Sequence, residues 1–503
     1  MSRIAVVGAG IGGLAVAARL ARTGHDVTLF EQAETVGGKL GWFEAEGFRF
    51  DTGPSILTMP EVFRELWTFL GAADSFDAEA RLRRLDPIAR YRFADGTWLD
   101  AASSNEEFLA NVERMRPGNA DQMASFLDRA ERIWDATREP FLESPLNGVR
   151  TLLALSTRIR DLHTISPGRT LRRLATAELD DPRLVDFVDR YATYTGSDPR
   201  RSPAALASIP FVERSFGGWY LEGGLRQIAE LLLRHCLTLG VDVRCGTAVA
   251  EISTQNGRVA GVLTADRVVH GYDLVVANTD ARHLYLDLLP TAPRAAARAL
   301  RPVERAVPSL SGFVLLLGVK SEDAQPGHHT VLFPKRYDDE FDDLFGTVGT
   351  PPRVVRDPTV FLSVPDDPAL APPGHRAWFV LVNAPRHVPD DRSAGIDWKA
   401  PGVADRYGDR VLAVMAERGL DIRDRVVFRA HRTPADLEHL TRAVGGSIYG
   451  TSSNGMRAAF LRPSNRSRIP GLYLVGGSSH PGGGLPLVTL SARIVADLIG
   501  PAT

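Results

Sequence analysis

The chain has 503 residues, 44% of them hydrophobic, with 59 basic side chains against 61 acidic ones and two cysteines. At about 150 residues per domain this is two or three domains with substantial cores, and a net charge of −2 leaves no electrostatic footprint for nucleic acid. Cys236 and Cys245 make neither a disulfide scaffold nor a metal cluster and read as buried residues, which fits a reducing, cytoplasmic compartment.

The opening MSRIAVVGAG has no charged region, apolar stretch and cleavage site in series, so no secretory signal is expected. Residues 3–7 read as an apolar strand, followed by the turn Gly8-Ala-Gly10-Ile11-Gly12-Gly13 and by Leu14, Ala17, Ala18 and Leu20 at helical spacing. A second apolar run, 26–30, ends in Glu31. Strand, glycine turn, helix, strand and acid in this order predict a dinucleotide-binding βαβ unit. Gly8 allows the tight turn, Gly10 lets the backbone approach a pyrophosphate, and Gly13 lets the helix pack on the sheet. The helix start then presents free N–H groups to phosphates. Glu31 is placed to accept hydrogen bonds from ribose hydroxyls and disfavours a 2′-phosphate.

Lys39 is one of only four lysines, with Lys320, Lys335 and Lys399, and it follows Gly37-Gly38. The continuation from Glu31 to Gly38 and Lys39 resembles flavoproteins of the amine oxidase and carotenoid desaturase superfamily, where such a segment helps hold FAD. A cation beside the cofactor's negative charge is the function this gives Lys39; a solvated loop lysine is the alternative.

From 69 to 214 the chain is arginine-rich with helical patterning. Residues 141–174 mix Leu146, Val149, Leu152, Leu153, Leu155, Ile159, Leu162 and Ile165 with arginines, a pattern that suits a membrane interface or an ordinary pair of surface helices. Next, Trp219-Tyr-Leu-Glu-Gly223-Gly224 precedes an amphipathic helix bearing Leu225, Ile228, Leu232, His235 and Leu239. Residues 241–244 and 248–252 read as strands, Asn256-Gly257 as a hairpin turn, and 274–277 as a strand ending at Asn278. Between 290 and 440, strands at 312–319 and 378–382 are expected, with Pro- and Asp-rich loops at 351–375 and 385–402.

The longest uncharged interval, 469–492, has the length of a membrane span, but its six glycines, three prolines, three serines and a histidine exclude one. It reads instead as a strand at 471–475, a loop from Gly476 and Gly477 through His480 to Gly484, and a helix from Leu485, Pro486 and Leu487 to about 498. Proline is favoured in a first helical turn, and the positive end of that helix would stabilise negative charge on a flavin.

The block Leu472-Tyr-Leu-Val-Gly-Gly-Ser-Ser-His-Pro-Gly-Gly-Gly-Leu-Pro-Leu487 resembles the C-terminal signature of bacterial carotenoid desaturases of the phytoene desaturase type. Phe50-Asp-Thr-Gly53-Pro54-Ser55 and Arg190-Tyr191-Ala-Thr-Tyr-Thr-Gly-Ser-Asp-Pro199 agree with it. Gly477-Ser-Ser and Leu487 look more like the later-acting branch, such as 3,4-desaturases and diapocarotenoid enzymes.

The resemblance implies an α/β fold: a discontinuous Rossmann-like FAD-binding domain of the glutathione reductase and amine oxidase type (1–68, 215–290 and 441–503), a helical, membrane-associating region (69–214) and an α+β substrate domain (291–440). It implies that Gly53, Pro54 and Ser55 adjoin FAD and that Val249 holds the adenine through its backbone. The chemistry implied is removal of hydride from an allylic C–H of a long isoprenoid, oriented in an apolar tunnel. No strong general base appears. Arg190 and Tyr191, with Asp189 and Tyr194, read as tunnel-lining groups or equally as a polar cap or packing; His480 reads as a proton acceptor or, more simply, as a residue fixing its loop. No second glycine fingerprint follows residue 60, so electrons would pass to oxygen or a quinone rather than come from NAD(P)H. Peripheral contact with the cytoplasmic membrane would suit a lipid-dissolved substrate. The rival readings are an amine oxidase, oxidation of a squalene-type substrate or a terminal methyl, and a non-catalytic isoprenoid carrier like the Rab dissociation inhibitors.

Overall fold

Val7, Phe30 and Ala277 end three adjacent strands side by side. In a computed structural model, which describes residues 1–146, 164–166, 168–322, 326–391, 393–455, 458 and 462–503, the Arg3–Val7 strand pairs in parallel with Asp26–Phe30 on one side and Leu274–Ala277 on the other. Asp242–Arg244 joins beyond the second strand and Leu472–Leu474 beyond the returning one, completing a five-stranded parallel sheet. An apolar strand without alternation belongs in such a sheet because both faces are covered. Ile4 and Val6 face a core shared with the helices Ile11–Arg22, Gln227–Thr238 and Leu485–Ile499. Ala5 and Val7 face the other way, toward the hairpin Val249–Gln255 and Arg258–Thr264 and the helix Ala281–Asp287. The hairpin turns at Asn256 and Gly257, both with positive φ, as the Asn-Gly pair requires.

A second sheet has seven strands, in the order Val426–Arg432, Ser311–Lys320, His375–Ala384, Val360–Ser363, His329–Leu332, Ala89–Arg92 and Trp98–Ala101. Two features differ from the sequence reading. Val360–Ser363 is a strand inside the stretch expected as loop; its buried Val360 and Leu362 pair between two neighbours and compensate for its shortness. Ala89–Arg92 and Trp98–Ala101 put sheet into the region expected as largely helical, because Ala89 and Tyr91 alternate inward with half-buried arginines.

The helix Val403–Glu417 covers one face of this sheet through Val411 and Met415. On the other face, Phe48 and Phe50 from the Trp42–Ala45 and Phe48–Asp51 hairpin pack against Leu316 and Phe379. The helices Asn105–Met115, Asn119–Thr137, Leu171–Glu178 and Pro182–Asp189 build a third layer in which Phe108, Phe126, Leu174 and Phe187 meet Tyr91, Val331 and Phe333. Residues 147–163, the centre of the apolar, arginine-bearing stretch, lie outside the described residues. No helix among the described residues is long and apolar enough to cross a membrane.

Candidate functional site

The chain leaves the first strand at Gly8 (φ 100°), whose N–H donates to the Phe30 carbonyl at 2.7 Å. Asn278, one residue past the returning strand, donates its N–H to Val7 (2.8 Å) and its side-chain Nδ2 to the Gly8 carbonyl (3.1 Å). This side chain fills the crevice between the two glycine motifs. A Cβ on Gly12 would lie 3.0 Å from Asn278 Oδ1 and one on Gly476 2.4 Å from the same atom, while one on Gly13 would lie 2.0 Å from the Gly8 carbonyl oxygen. Gly10 caps the Ile11–Arg22 helix without any side-chain hydrogen bond, so the first N–H groups of that helix, starting at Ile11, remain available to an anion. Gly37 donates to the Ala9 carbonyl (2.8 Å), and a Cβ on Gly38 would press on the Gly10 Cα at 3.2 Å.

Glu31 is buried, and its carboxylate accepts from the Ala9 N–H (2.7 Å) and the Ala33 N–H (2.9 Å). Those donors fix it at the end of its strand with lone pairs to spare for ribose hydroxyls. Val249 packs on the Val7 and Phe30 cluster at the same end of the sheet and begins the hairpin opposite Thr264. Lys39 does not point into solvent: Nζ donates to the carbonyls of Ser447 (3.0 Å) and Ile448 (2.6 Å). Burial lowers its pKa to about 8, with Asp280 raising it and Arg462 lowering it.

Gly53 sits so tightly under this segment that a Cβ would be 2.1 Å from the Lys39 carbonyl oxygen. Pro54 and Ser55 follow, and the Ser55 carbonyl lies 3.2 Å from Nε2 of His329. Asp51 explains why the Asp-Thr-Gly-Pro and Glu-Gly-Gly blocks both occur. Its carboxylate accepts from the N–H groups of Leu225 (2.7 Å) and Arg226 (3.1 Å) just before the Gln227–Thr238 helix, and a Cβ on Gly224 would meet it at 2.8 Å.

The C-terminal loop is held from outside by residues that sequence reading passed over. Arg462 donates to the carbonyls of Gly477 (2.7 Å), Tyr449 (3.1 Å) and Thr451 (2.8 Å), and burial lowers its pKa to about 10. Ser491 accepts from the Gly476 N–H (3.3 Å) and donates to the His480 carbonyl (2.8 Å). His480 itself is fully buried; Nε2 lies 2.9 Å from the Ser144 carbonyl and the ring meets Phe141 edge-on. Burial lowers its pKa to about 4. These contacts suit fixing the loop better than accepting a proton. Gly484 (φ 115°) has no atom near the position of a Cβ, and the helix it begins, Leu485–Ile499 with Pro486 in the first turn, is likewise uncapped by a side chain. Leu487 packs with Met59, Trp134 and Leu490.

The turn, Glu31, Gly38, Lys39, Gly53, Gly476 and Gly477 therefore gather at the carboxyl ends of the parallel strands, where ligands bind in open α/β sheets. The other predicted pair lies in the helical layer. Arg190 Nη1 donates to the hydroxyls of Tyr91 (3.3 Å) and Tyr194 (3.2 Å), and Tyr191 donates to Glu213 (2.7 Å). Tyr191 is thus spent on a buried carboxylate. Cys236 is buried in its helix and Cys245 is half-buried just past its strand.

A parallel sheet with two glycine loops, a buried carboxylate at the end of its second strand and two uncapped helix starts has the form of a dinucleotide-binding site. Residues 11–391 match the flavin containing amine oxidoreductase family. The chain belongs to that family and, within it, to the bacterial carotenoid desaturases. It is 34% identical over 501 residues to a 4,4′-diapolycopene oxygenase of a Methylomonas species, covering 99% of this chain and 98% of that protein. It is 35% identical over 503 residues to a zeta-carotene-forming phytoene desaturase of Myxococcus xanthus (98% and 93%). It is 31% identical over 505 residues to a 1-hydroxycarotenoid 3,4-desaturase of a Flavobacterium species (99% and 99%). Among solved structures, a putrescine oxidase double mutant superposes with a TM-score of 0.65 at 16% identity (99% of each chain). An oxidoreductase of Methanosarcina mazei superposes with 0.63 at 20% identity (98% and 100%). These last two speak for the fold alone. FAD is the cofactor, and the glycine cradle, in which added Cβ atoms would collide with backbone or Asn278, has the form such a group needs.

Proposed function

We propose that this enzyme desaturates a long acyclic carotenoid close to one end of the chain, as the later-acting relatives named for 3,4-desaturation do. The observation that carries the reading against an amine substrate is Arg190. This buried guanidinium lies amid the rings of Tyr91, Tyr191, Tyr194 and Phe361, with centroids 5.1–5.9 Å away. Burial raises the Tyr449 phenol to about 12 and lowers His329 to about 4, and the Arg190 charge, close to both, pulls each of them down. The Tyr449 ring abuts Gly483 of the C-terminal loop, and His329 abuts Ser55. A fixed cation there repels a protonated amine.

When bound, FAD supplies the acceptor for hydride from an allylic C–H. The chain's own part is to hold the polyene in register, exclude water and stabilise charge with the uncapped Leu485–Ile499 helix start. We assign return of electrons to a quinone or oxygen, and substrate entry to peripheral contact with the cytoplasmic membrane. A second reading, oxidation of a terminal methyl, is favoured by similarity to the diapolycopene oxygenase. Expression in hosts that accumulate phytoene, neurosporene or lycopene tests both. Products with added conjugated double bonds support desaturation, aldehyde products support the second reading, and unchanged pigments in all three hosts contradict both.

A further inference from the structure

Among the described residues the buried arginines are Arg19, Arg190, Arg214 and Arg226. Arg19 pairs with Glu65 and Arg226 with Glu230, while Arg214 donates to the carbonyls of Ala102 and Ser104 and to Asn105. Arg190 differs. Its Nη1 donates to two phenol oxygens, and its Nε and Nη2 donate to no described residue, although it is only 7% exposed. The counter-charge stands one hydroxyl away: Tyr194 bridges Arg190 to Glu213, donating to the carboxylate at 3.0 Å, and Tyr191 holds the other carboxylate oxygen at 2.7 Å. Glu213 is thereby fixed and does not turn to consume the remaining guanidinium donors.

A hydrocarbon packed against those N–H groups would leave charged donors unpaired among the surrounding aromatic rings, which is costly. An oxygen acceptor would satisfy them. Building on the carotenoid reading above, we propose that Nε–H and Nη2–H of Arg190 bind a hydroxyl or carbonyl oxygen at one end of the substrate. The Phe361 ring lies 5.7 Å from Arg190 and 5.5 Å from the His329 ring, which abuts Ser55, and the Tyr449 ring abuts both Gly196, just past Arg190 in the chain, and Gly483 of the C-terminal loop, so the oxygen is held beside the flavin site. The bond presented for oxidation is therefore one within a few carbons of the oxygenated end. Arg190 acts as a specificity-determining residue, and the Tyr194 and Glu213 pair positions it.

The test measures anaerobic flavin reduction of the holoenzyme by three substrates in phosphatidylcholine vesicles: an acyclic carotene, its derivative with a terminal hydroxyl, and one with a terminal aldehyde. A charge-assisted hydrogen bond predicts that wild type prefers one or both oxygenated substrates over the hydrocarbon by roughly 10- to 100-fold in kcat/KM. The hydroxyl and aldehyde arms tell which oxygen is read. Arg190→Gln is expected to bring the ratio toward one, mainly through KM, and Arg190→Lys to restore part of it. A wild type without preference overturns the inference, as does an Arg190→Gln enzyme that loses all substrates equally. If Arg190→Gln does not bind FAD, the wild-type ratio and Arg190→Lys decide. Reduction by none of the three overturns the carotenoid reading itself, whereas equal reduction by all overturns only the role of Arg190.

Discussion

Asn278 closes the first glycine turn from the neighbouring strand, its Nδ2 donating to the Gly8 carbonyl at 3.1 Å while its Oδ1 faces Gly12 and Gly476. One side chain thus sets the separation of two glycine motifs that lie far apart in sequence. Asn278→Leu removes the donor and leaves that carbonyl unpaired, a loss of about 1–3 kcal/mol. FAD affinity, measured by fluorescence titration of the apoprotein, should fall roughly 5- to 100-fold. Gly13→Ala should yield colourless protein, because its Cβ would stand 2.0 Å from a backbone oxygen that cannot turn away. A yellow Gly13→Ala protein of normal affinity would contradict the crevice as described.

Lys39 gives FAD binding a pH dependence. Its pKa in the apoprotein is lowered to about 8 by burial, and the negative cofactor raises it again. Below pH 8 the ammonium is already present and affinity is flat. Above pH 8 binding must take up a proton, so affinity falls by up to about tenfold per pH unit. Lys39→Met should bind more weakly with no break near pH 8. Parallel profiles for the two proteins would show that Lys39 does not face the cofactor.

Asp51 makes a prediction about stability. Burial raises its pKa from 3.8 to about 6 despite two N–H donors. The folded protein therefore holds this proton more tightly than the unfolded chain. The associated stability is full below about pH 4 and is lost as pH rises through 6. Asp51→Asn cannot titrate. The wild type's melting temperature relative to this variant should decline between pH 4 and 6 and level off above, as read by thermal melts across that range.

No second Gly-x-Gly-x-x-Gly fingerprint follows residue 60 in the sequence, and the five-stranded sheet is the one all-parallel sheet among the described residues. NADPH should leave the bound flavin oxidised under anaerobic conditions, while a quinone should reoxidise photoreduced enzyme. Rapid bleaching by NADPH would sink this assignment.

Much of the site is written locally, which is why the strand, Gly8 to Gly13 turn, helix and Glu31 are legible. Each glycine there answers to a short-range need for positive φ or close approach. The same holds for Gly476 to Pro486. Spacing tells that room is required, however, and not what occupies it, so Asn278 reads merely as the end of a strand. Arg462 gives no signal because its partners are backbone carbonyls of Tyr449, Thr451 and Gly477, a pattern no composition betrays. Arg190 is visible as an odd charge in an aromatic block, but Glu213, its indirect counter-charge, comes from a different helix. The Val360–Ser363 strand is hidden by flanking prolines at 358 and 365, and only its two neighbours make it a strand.

The central claim is that FAD held in this crevice oxidises a carotenoid. Its most direct measurement is an anaerobic mixing experiment, with the purified yellow holoenzyme and vesicles carrying an acyclic carotenoid, followed through the visible spectrum. The account predicts that flavin absorption bleaches while the carotenoid band moves to longer wavelength, one new double bond appearing per flavin reduced. Flavin that stays oxidised with every acyclic carotenoid offered but bleaches with a primary amine such as putrescine would contradict it.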